Sequence, residues 1–354
     1  LTPKAPYKLI IDFLREELKT KYSPGDKIPS ENELAKMFGV SRLTARKAVE
    51  KLTDEGLLVR IPGIGTFVSE ISKLAKNKVT YVGVAIGNVA DVRGEAMVSK
   101  IVKTLRDFSV HAIFVDIGKC YSEDFEKKLS RLLDENVSGL IISPIKNLEE
   151  SHTFKKFIEK KLPIVFIDRT ISGFEEIPFV ESNNYHGGYL LGEHLKDVHG
   201  SKNAIFITEE GMDIFSVKER YNGFKNAFEK HVDVLFVENI EDMRDKFIKT
   251  IKEGKYDSIF FCHDLLALSG ITSLMMNGIR IPEDIRVVGF DDRIISKYTF
   301  PHITTVRQNF SEMGKVAALF MVKFLKGEKI PRAEHIPVKL VIRESCGCST
   351  MNQH

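Results

Sequence analysis

Charged residues placed just after apolar runs are where this sequence could do chemistry. Asp168-Arg169 follows Pro163–Ile167, and Arg220 opens a helical stretch after the loop Glu209–Phe215. His263-Asp264 follows Ile259–Cys262, and Asp291-Asp292 follows Val287–Phe290. Carboxylates and guanidinium groups held close together can grip sugar hydroxyls, because each hydroxyl both donates and accepts a hydrogen bond. Phe166, Phe215 or Phe290 could offer an apolar face to the C–H side of a sugar ring. Taken singly, each of these residues reads equally well as a surface ion pair or a core phenylalanine.

A second group lies near the N-terminus. Arg42, Thr44, Arg46 and Lys47 fall on the outward side of a helical stretch that Ser41 caps. Arg42 and Arg46 are four residues apart and share a face. Arginine suits the start of a recognition helix, because its fork can hold guanine O6 and N7 together. Free backbone N–H groups at the same helix end suit a phosphate.

The elements that must position these groups fall into two patterns. Up to residue 70 the spacing predicts a helix over Tyr7–Lys19 with Leu9, Ile10, Phe13, Leu14 and Leu18 on one face. Ser30, with Glu33 three residues on, opens a second helix that stops at Gly39. The third runs from Ser41 to about Glu55, with Ala45, Ala48, Val49 and Leu52 inward and Gly56 as its stop. Two short strands, Leu57–Arg60 and Thr66–Val68, flank the turn Pro62-Gly63-Ile64-Gly65. This is the layout of a winged helix-turn-helix. Residues 71–78 read as a polar linker. From Val79 to residue 345, strand candidates alternate with helices, which predicts parallel sheets covered on both faces. The length of this stretch favours two doubly wound lobes with a crevice outside the carboxyl ends of the strands. The expected fold is therefore α/β, with a small DNA-binding head over 1–70, a two-lobed body over 79–345, and a tail over 346–354.

The head closely resembles the DNA-binding domain of the GntR family. The segments that carry this are Pro29-Ser30-Glu31-Asn32-Glu33-Leu34-Ala35, Val40-Ser41-Arg42-Leu43-Thr44-Ala45-Arg46-Lys47-Ala48 and Gly63-Ile64-Gly65-Thr66-Phe67-Val68. The resemblance implies DNA contacts from Ser30, Arg42, Thr44 and Arg46, with Gly65 at a wing tip entering or skirting the minor groove.

The body resembles the LacI/GalR family and periplasmic sugar-binding proteins. Matching segments include Pro163–Arg169, Asn183-Asn184-Tyr185-His186-Gly187-Gly188, Glu219–Phe224, Asp264–Ala267, Ile281–Asp292 and Ile303–Gln308. The resemblance implies that Asp168, Arg169, Arg220, Asp264 and Gln308 line a sugar pocket, with Ser143 a further candidate. The loop Gly87–Gly94 lacks the paired aromatics that many sugar binders carry there, so Asp91 or Arg93 would supply polar contacts instead. A GntR-like head on a LacI-like body is similar to the arabinose-responsive repressors. That pairing implies a homodimer on near-palindromic operator DNA, a repressor of carbohydrate-utilisation genes released by a small neutral sugar. A pentose such as arabinose or a 6-deoxyhexose such as fucose is the candidate effector. A sugar phosphate as effector, or an activator, is the alternative.

Other classes fit less well. No G-x-x-x-x-G-K-[ST] and no strand-linked G-x-G-x-x-G occurs, and the histidines have no catalytic-triad context, so no enzyme and no cofactor is expected. Leu1–Lys8 does not read as a secretory signal, no apolar run is long enough to span a membrane, and four cysteines suit a reducing cytoplasm. Cys346-Gly-Cys348 offers half a metal site, but no second Cys/His cluster at ligand spacing is read as accompanying it. A plain tail without metal is the expectation.

Overall fold

The computed structural model of the protein describes residues 6–61, 64–69, 79–87, 92–118 and 121–348, without the side chains of 19, 92, 93 and 240. The chain divides into two compact units, Leu1–Thr80 and Tyr81–His354. The expected linker 71–78, the candidate Asp91, the side chain of Arg93 and tail residues 349–354 lie outside the described residues.

The first unit is built from three helices and a hairpin: α1 (Pro6–Thr20), α2 (Glu31–Phe38), α3 (Arg42–Asp54), β1 (Leu58–Ile61) and β2 (Gly65–Val68). Ser30 and Glu33 form a reciprocal capping box, the Ser30 hydroxyl taking the Glu33 N–H and the Glu33 carboxylate taking the Ser30 N–H at 2.7 Å. Ser41 caps α3 in the same way through the Thr44 N–H. Ala45, Ala48, Val49 and Leu52 of α3 pack against Ile10, Leu14 and Leu18 of α1, all buried. The expected α1 face needs one correction. Leu9 is 47% exposed and Ile11 takes its place in the core, because the stripe through 10, 14 and 18 is extended on the side that meets α3. β1 and β2 pair antiparallel, Leu58 opposite Val68 and Ile61 opposite Gly65.

The second unit has two lobes. Its first run is β3 (Thr80–Ile86), α4 (Val92–Asp107), β4 (Val110–Asp116), α5 (Glu123–Asp134), β5 (Leu140–Ile142), α6 (His152–Glu159), β6 (Ile164–Ile167) and β7 (Phe179–Ser182). The chain then enters the second lobe through α7 (Asn184–Glu193), β8 (Ala204–Thr208), α8 (Phe215–Phe228), β9 (Val232–Phe236), α9 (Ile240–Arg244), α10 (Lys246–Glu253), β10 (Ser258–Phe261), α11 (Asp264–Met276), β11 (Arg286–Val288) and β12 (Thr305–Arg307). It returns to the first lobe with α12 (Phe310–Leu325) and β13 (Ala333–Ile336), and ends in the second with β14 (Lys339–Val341). The first sheet has the order β13-β7-β6-β5-β3-β4, and the second β11-β10-β8-β9. The pairs within the second sheet are parallel, as are those from β3 through β13 in the first. The short pair β12–β14 is antiparallel.

Apolar side chains cover both faces of the first sheet. Met97, Ile101 and Leu105 of α4 meet Met313, Ala317 and Met321 of α12 on one side, and Phe125, Phe154, Phe157 and Phe166 fill the other. The second core is rich in phenylalanine, with Phe206, Phe224, Phe228, Phe247, Phe260 and Phe261 buried. Each such burial contributes about 1.5–3 kcal/mol of transfer free energy. These two cores hold the strand ends in place around the crevice. No helix among the described residues is long and apolar enough to cross a membrane.

Candidate functional site

In the first unit the capped start of α2, the start of α3 and the wing enclose a groove of about 310 Å³. Ser30, Arg42 and Gly65 line it together with Lys27, Asn32 and Arg60. Glu31 sits between two arginines, accepting from Arg60 Nη2 at 2.8 Å and facing Arg42 Nε at 3.4 Å. The carboxylate thereby aims two forks into one groove, although ion pairs this exposed add little stability. Gly65 has φ +145°, a backbone conformation that side chains rarely adopt, so the wing tip favours glycine.

Thr44 and Arg46 do not line this groove. Thr44 is engaged with Ser41, their hydroxyls 2.8 Å apart, and Arg46 stays exposed on α3 with Glu50 at 2.8 Å. Lys47 faces another way, its ammonium 5.0 Å from the centre of the Tyr7 ring on α1. Five residues along a helix is about 140° of rotation from Arg42, which explains the divergence. Lys27, Asn32 and Arg60 escaped the sequence reading because they sit in a turn, on α2 and on the wing rather than on the recognition helix.

In the second unit the crevice forms a cleft of about 240 Å³. Ser143, Asp168, Arg169 and Arg220 line it, as the sequence suggested, with Glu209, Glu210, His263, Asp291 and Arg293. Arg220 is anchored on three sides. Its Nε donates to Asn184 Oδ1 at 2.9 Å, its Nη1 donates to the Cys262 carbonyl at 2.7 Å, and its guanidinium lies 3.9 Å above the Phe290 ring. Asp291 ties the cleft floor together: Gln308 Nε2 donates to it at 2.6 Å, Arg293 Nε approaches at 3.1 Å and Arg220 Nη1 at 3.7 Å. Arg169 of the first lobe faces Glu210 of the second at 3.5 Å, and His263 Nε2 faces Glu209 at 3.0 Å. Asp168 and Asp291 hold φ of +73° and +110°. Left-handed backbone at non-glycine residues is costly and tends to gather at ligand sites.

Two expected pocket residues lie beneath the cleft wall rather than in it. Asp264 is fully buried. Its Oδ1 accepts from the Thr305 hydroxyl at 2.7 Å and its Oδ2 from the Arg293 N–H at 2.8 Å, so it fixes the segment that presents Arg293. Burial, and then the nearby Asp291 charge, push its carboxyl up to about 8. Gln308 is buried too and reaches the cleft only through Asp291. The aromatic expectation is also corrected. Phe166 is buried against Phe154 and Phe174, Phe290 is covered by Arg220, and Phe215 does not line the cleft.

Glycines set where Arg220 stands. A Cβ on Gly188 would lie 2.0 Å from the Arg220 carbonyl oxygen, and one on Gly223 would lie 1.9 Å from that of Tyr185. Only with both bare can α7 and α8 meet backbone to backbone. Gly187 leaves room for the Phe290 ring, whose nearest atom would be 2.6 Å from a Cβ at that position. The expectation of a bare Cys346-Gly-Cys348 tail is corrected as well, since His194 and His199 lie against it.

Comparison with known proteins agrees with this geometry. Residues 6–68 match the bacterial regulatory proteins of the gntR family, residues 82–253 a periplasmic binding protein domain, and residues 193–346 a periplasmic binding protein-like domain. The arabinose metabolism transcriptional repressor of Geobacillus stearothermophilus is 27% identical over 91% of this chain and 92% of its own length. A periplasmic binding protein/LacI transcriptional regulator from Alkaliphilus metalliredigens, solved with D-xylulofuranose, is 21% identical with a TM-score of 0.62, over 75% of this chain and 99% of its own. The Lac repressor dimer bound to operator is 21% identical with a TM-score of 0.64, over 81% of this chain and 99% of its own. The chain thus joins a winged helix-turn-helix head that matches the gntR family model to a body that matches periplasmic-binding-protein-like models and shares their fold.

Proposed function

We propose that the protein is an operator-binding repressor of carbohydrate-utilisation genes, released from DNA by a small neutral sugar held in the cleft of the second unit. One observation carries the choice of ligand: each arginine lining the cleft already faces a carboxylate, Arg169 with Glu210, and Arg220 and Arg293 with Asp291. Paired charges of this kind suit hydroxyls, which need donors and acceptors together, better than a phosphate, which needs spare donors. A pentose such as arabinose or a 6-deoxyhexose such as fucose fits the small cleft. Asp168, Arg169, Ser143 and Arg220 would touch it, while Asp264 and Gln308 would hold the residues that do. A sugar phosphate would require Arg169 to leave Glu210.

A thermal-shift screen of free pentoses, 6-deoxyhexoses and their phosphates tests the ligand class, because a ligand that binds only the folded state raises its stability. Calorimetry on the best hit should then show Arg220→Ala binding at least about tenfold more weakly, roughly 1.4 kcal/mol. Unchanged affinity would remove the cleft from the account. The sugar lowers operator affinity only by binding the released conformation more tightly than the DNA-bound one.

The working form is proposed to be a homodimer, which places two recognition helices on matching half-sites. Met276, Tyr298 and Phe300 of the second lobe are 76%, 75% and 80% exposed, apolar side chains available for a second copy to cover. Light scattering that finds a monomer both free and on DNA would refute this.

A further inference from the structure

His194, His199, Cys346 and Cys348 converge where the C-terminal segment passes the end of α7. Their four ligand atoms all lie within 4.8 Å of one another. His194 Nε2 is 3.3 Å from His199 Nε2 and 3.4 Å from Cys346 Sγ. Cys348 Sγ is 3.4 Å from His199 Nε2 and 3.9 Å from His194 Nε2. Tetrahedral zinc, with Zn–N of about 2.0–2.1 Å and Zn–S of about 2.3 Å, sets two nitrogens about 3.4 Å apart and a nitrogen and a sulfur about 3.5 Å apart. The observed separations are close to the edges of that tetrahedron.

The local backbone serves this convergence. At its end α7 widens into a π-turn over His194–Val198. An ordinary helix would put His194 and His199 about 140° apart, whereas the wider turn brings them toward one side. Gly347, at φ +99°, turns the chain between the two cysteines. The Thr304 hydroxyl donates to Cys346 Sγ at 3.1 Å, the kind of outer hydrogen bond that orients a ligand. Without an ion, the four groups share few protons and weak donors in a place where His194 and Cys346 are buried.

We propose that His194, His199, Cys346 and Cys348 bind one zinc ion in a closed tetrahedral site that pins the C-terminal segment to the second lobe. Two neutral imidazoles and two thiolates balance Zn²⁺ to zero net charge, which suits a mostly buried site. Loading releases the two thiol protons to solvent. With all four positions filled by protein the site is structural, and it secures α7, whose first turn carries the Asn184 partner of Arg220.

The test is the zinc content of the full chain, purified under reducing conditions without a metal-affinity column. Protein stripped by chelator would then be titrated with Zn²⁺, and with Co²⁺ as a spectroscopic probe. The expected result is one equivalent of zinc per chain, released by a mercurial thiol reagent, and visible bands of tetrahedral thiolate-ligated Co²⁺. Stripping should lower the melting temperature of the wild type. Cys348→Ser and His199→Asn, at the two half-buried positions, should each reduce metal content from one equivalent to none, while His231→Asn leaves it unchanged. Reduced wild-type protein that neither carries zinc nor takes up Zn²⁺ or Co²⁺ would overturn the proposal, whatever the variants do. So would undiminished zinc in both folded variants, or a Cys346–Cys348 disulfide as the only chemistry found there.

Discussion

Asp264 shows what a residue's place in the sequence tells and what it leaves open. Its position after a strand was legible, but its partner Thr305 comes from a distant short strand that folds back over it. The carboxyl is therefore buried and held up at about 8, above the ordinary value of an unfolded chain. Between those two values the folded protein keeps a proton that the unfolded chain gives up. The contribution of this group to stability is full below the unfolded value and is lost as pH rises through about 8. Asp264→Asn mimics the protonated form at every pH. The melting temperature of the wild type minus that of Asp264→Asn should thus fall between about pH 4 and pH 8, the span of the two values. A difference flat with pH would show Asp264 ionised in the fold.

The head carries a second prediction at this scale. Arg42 lines the groove with the wing, whereas Lys47 turns to Tyr7. Arg42→Ala should cost about 1–3 kcal/mol of operator affinity, and Lys47→Ala clearly less. Anisotropy titrations giving equal losses would place Lys47 on the DNA as well. Of the proposed zinc ligands the sequence reading found only Cys346 and Cys348; it passed over His194-Leu195-Lys196-Asp197-Val198-His199, whose spacing also suits a metal, because nothing in the sequence joins it to the cysteines.

Among the elements, the long alternation of strands and helices was readable because parallel strands buried on both faces form continuous apolar runs. The returning pieces were not. β12 and β14 have three residues each, and β13 is Ala-Glu-His-Ile, with only Ile336 buried. Nothing local in such pieces says which lobe they join. α12 was missed because its apolar residues cover more than one side, as befits a helix packed on both α4 and the sheet. In the sequence Gly188 and Gly223 belong to no phosphate loop and carry no other local signal, yet they let α7 and α8 touch. Alanine at either position should destabilise the protein by about 1–3 kcal/mol or more through forced separation of the helices. Melting curves should shift down by about 2–4 °C per kcal/mol. An unchanged melting temperature would mean that the helices are not this close.

For the whole molecule, two patterns of elements separated a capped helical head from an α/β body, and the matched family models lie over residues 6–68 and 82–346. Under the proposed function, what links them is a coupling between sugar and DNA, a free energy that no single contact displays. The direct measurement is a fluorescence anisotropy titration of an operator fragment, selected by the protein from genomic DNA, at fixed salt, with and without the sugar identified by thermal shift. Operator affinity should fall by about 5–150-fold when the sugar is added, with the sugar recovered unchanged, and Arg220→Ala should still bind operator but no longer respond. Operator affinity that is the same at saturating sugar, or that rises, would contradict a sugar-released repressor.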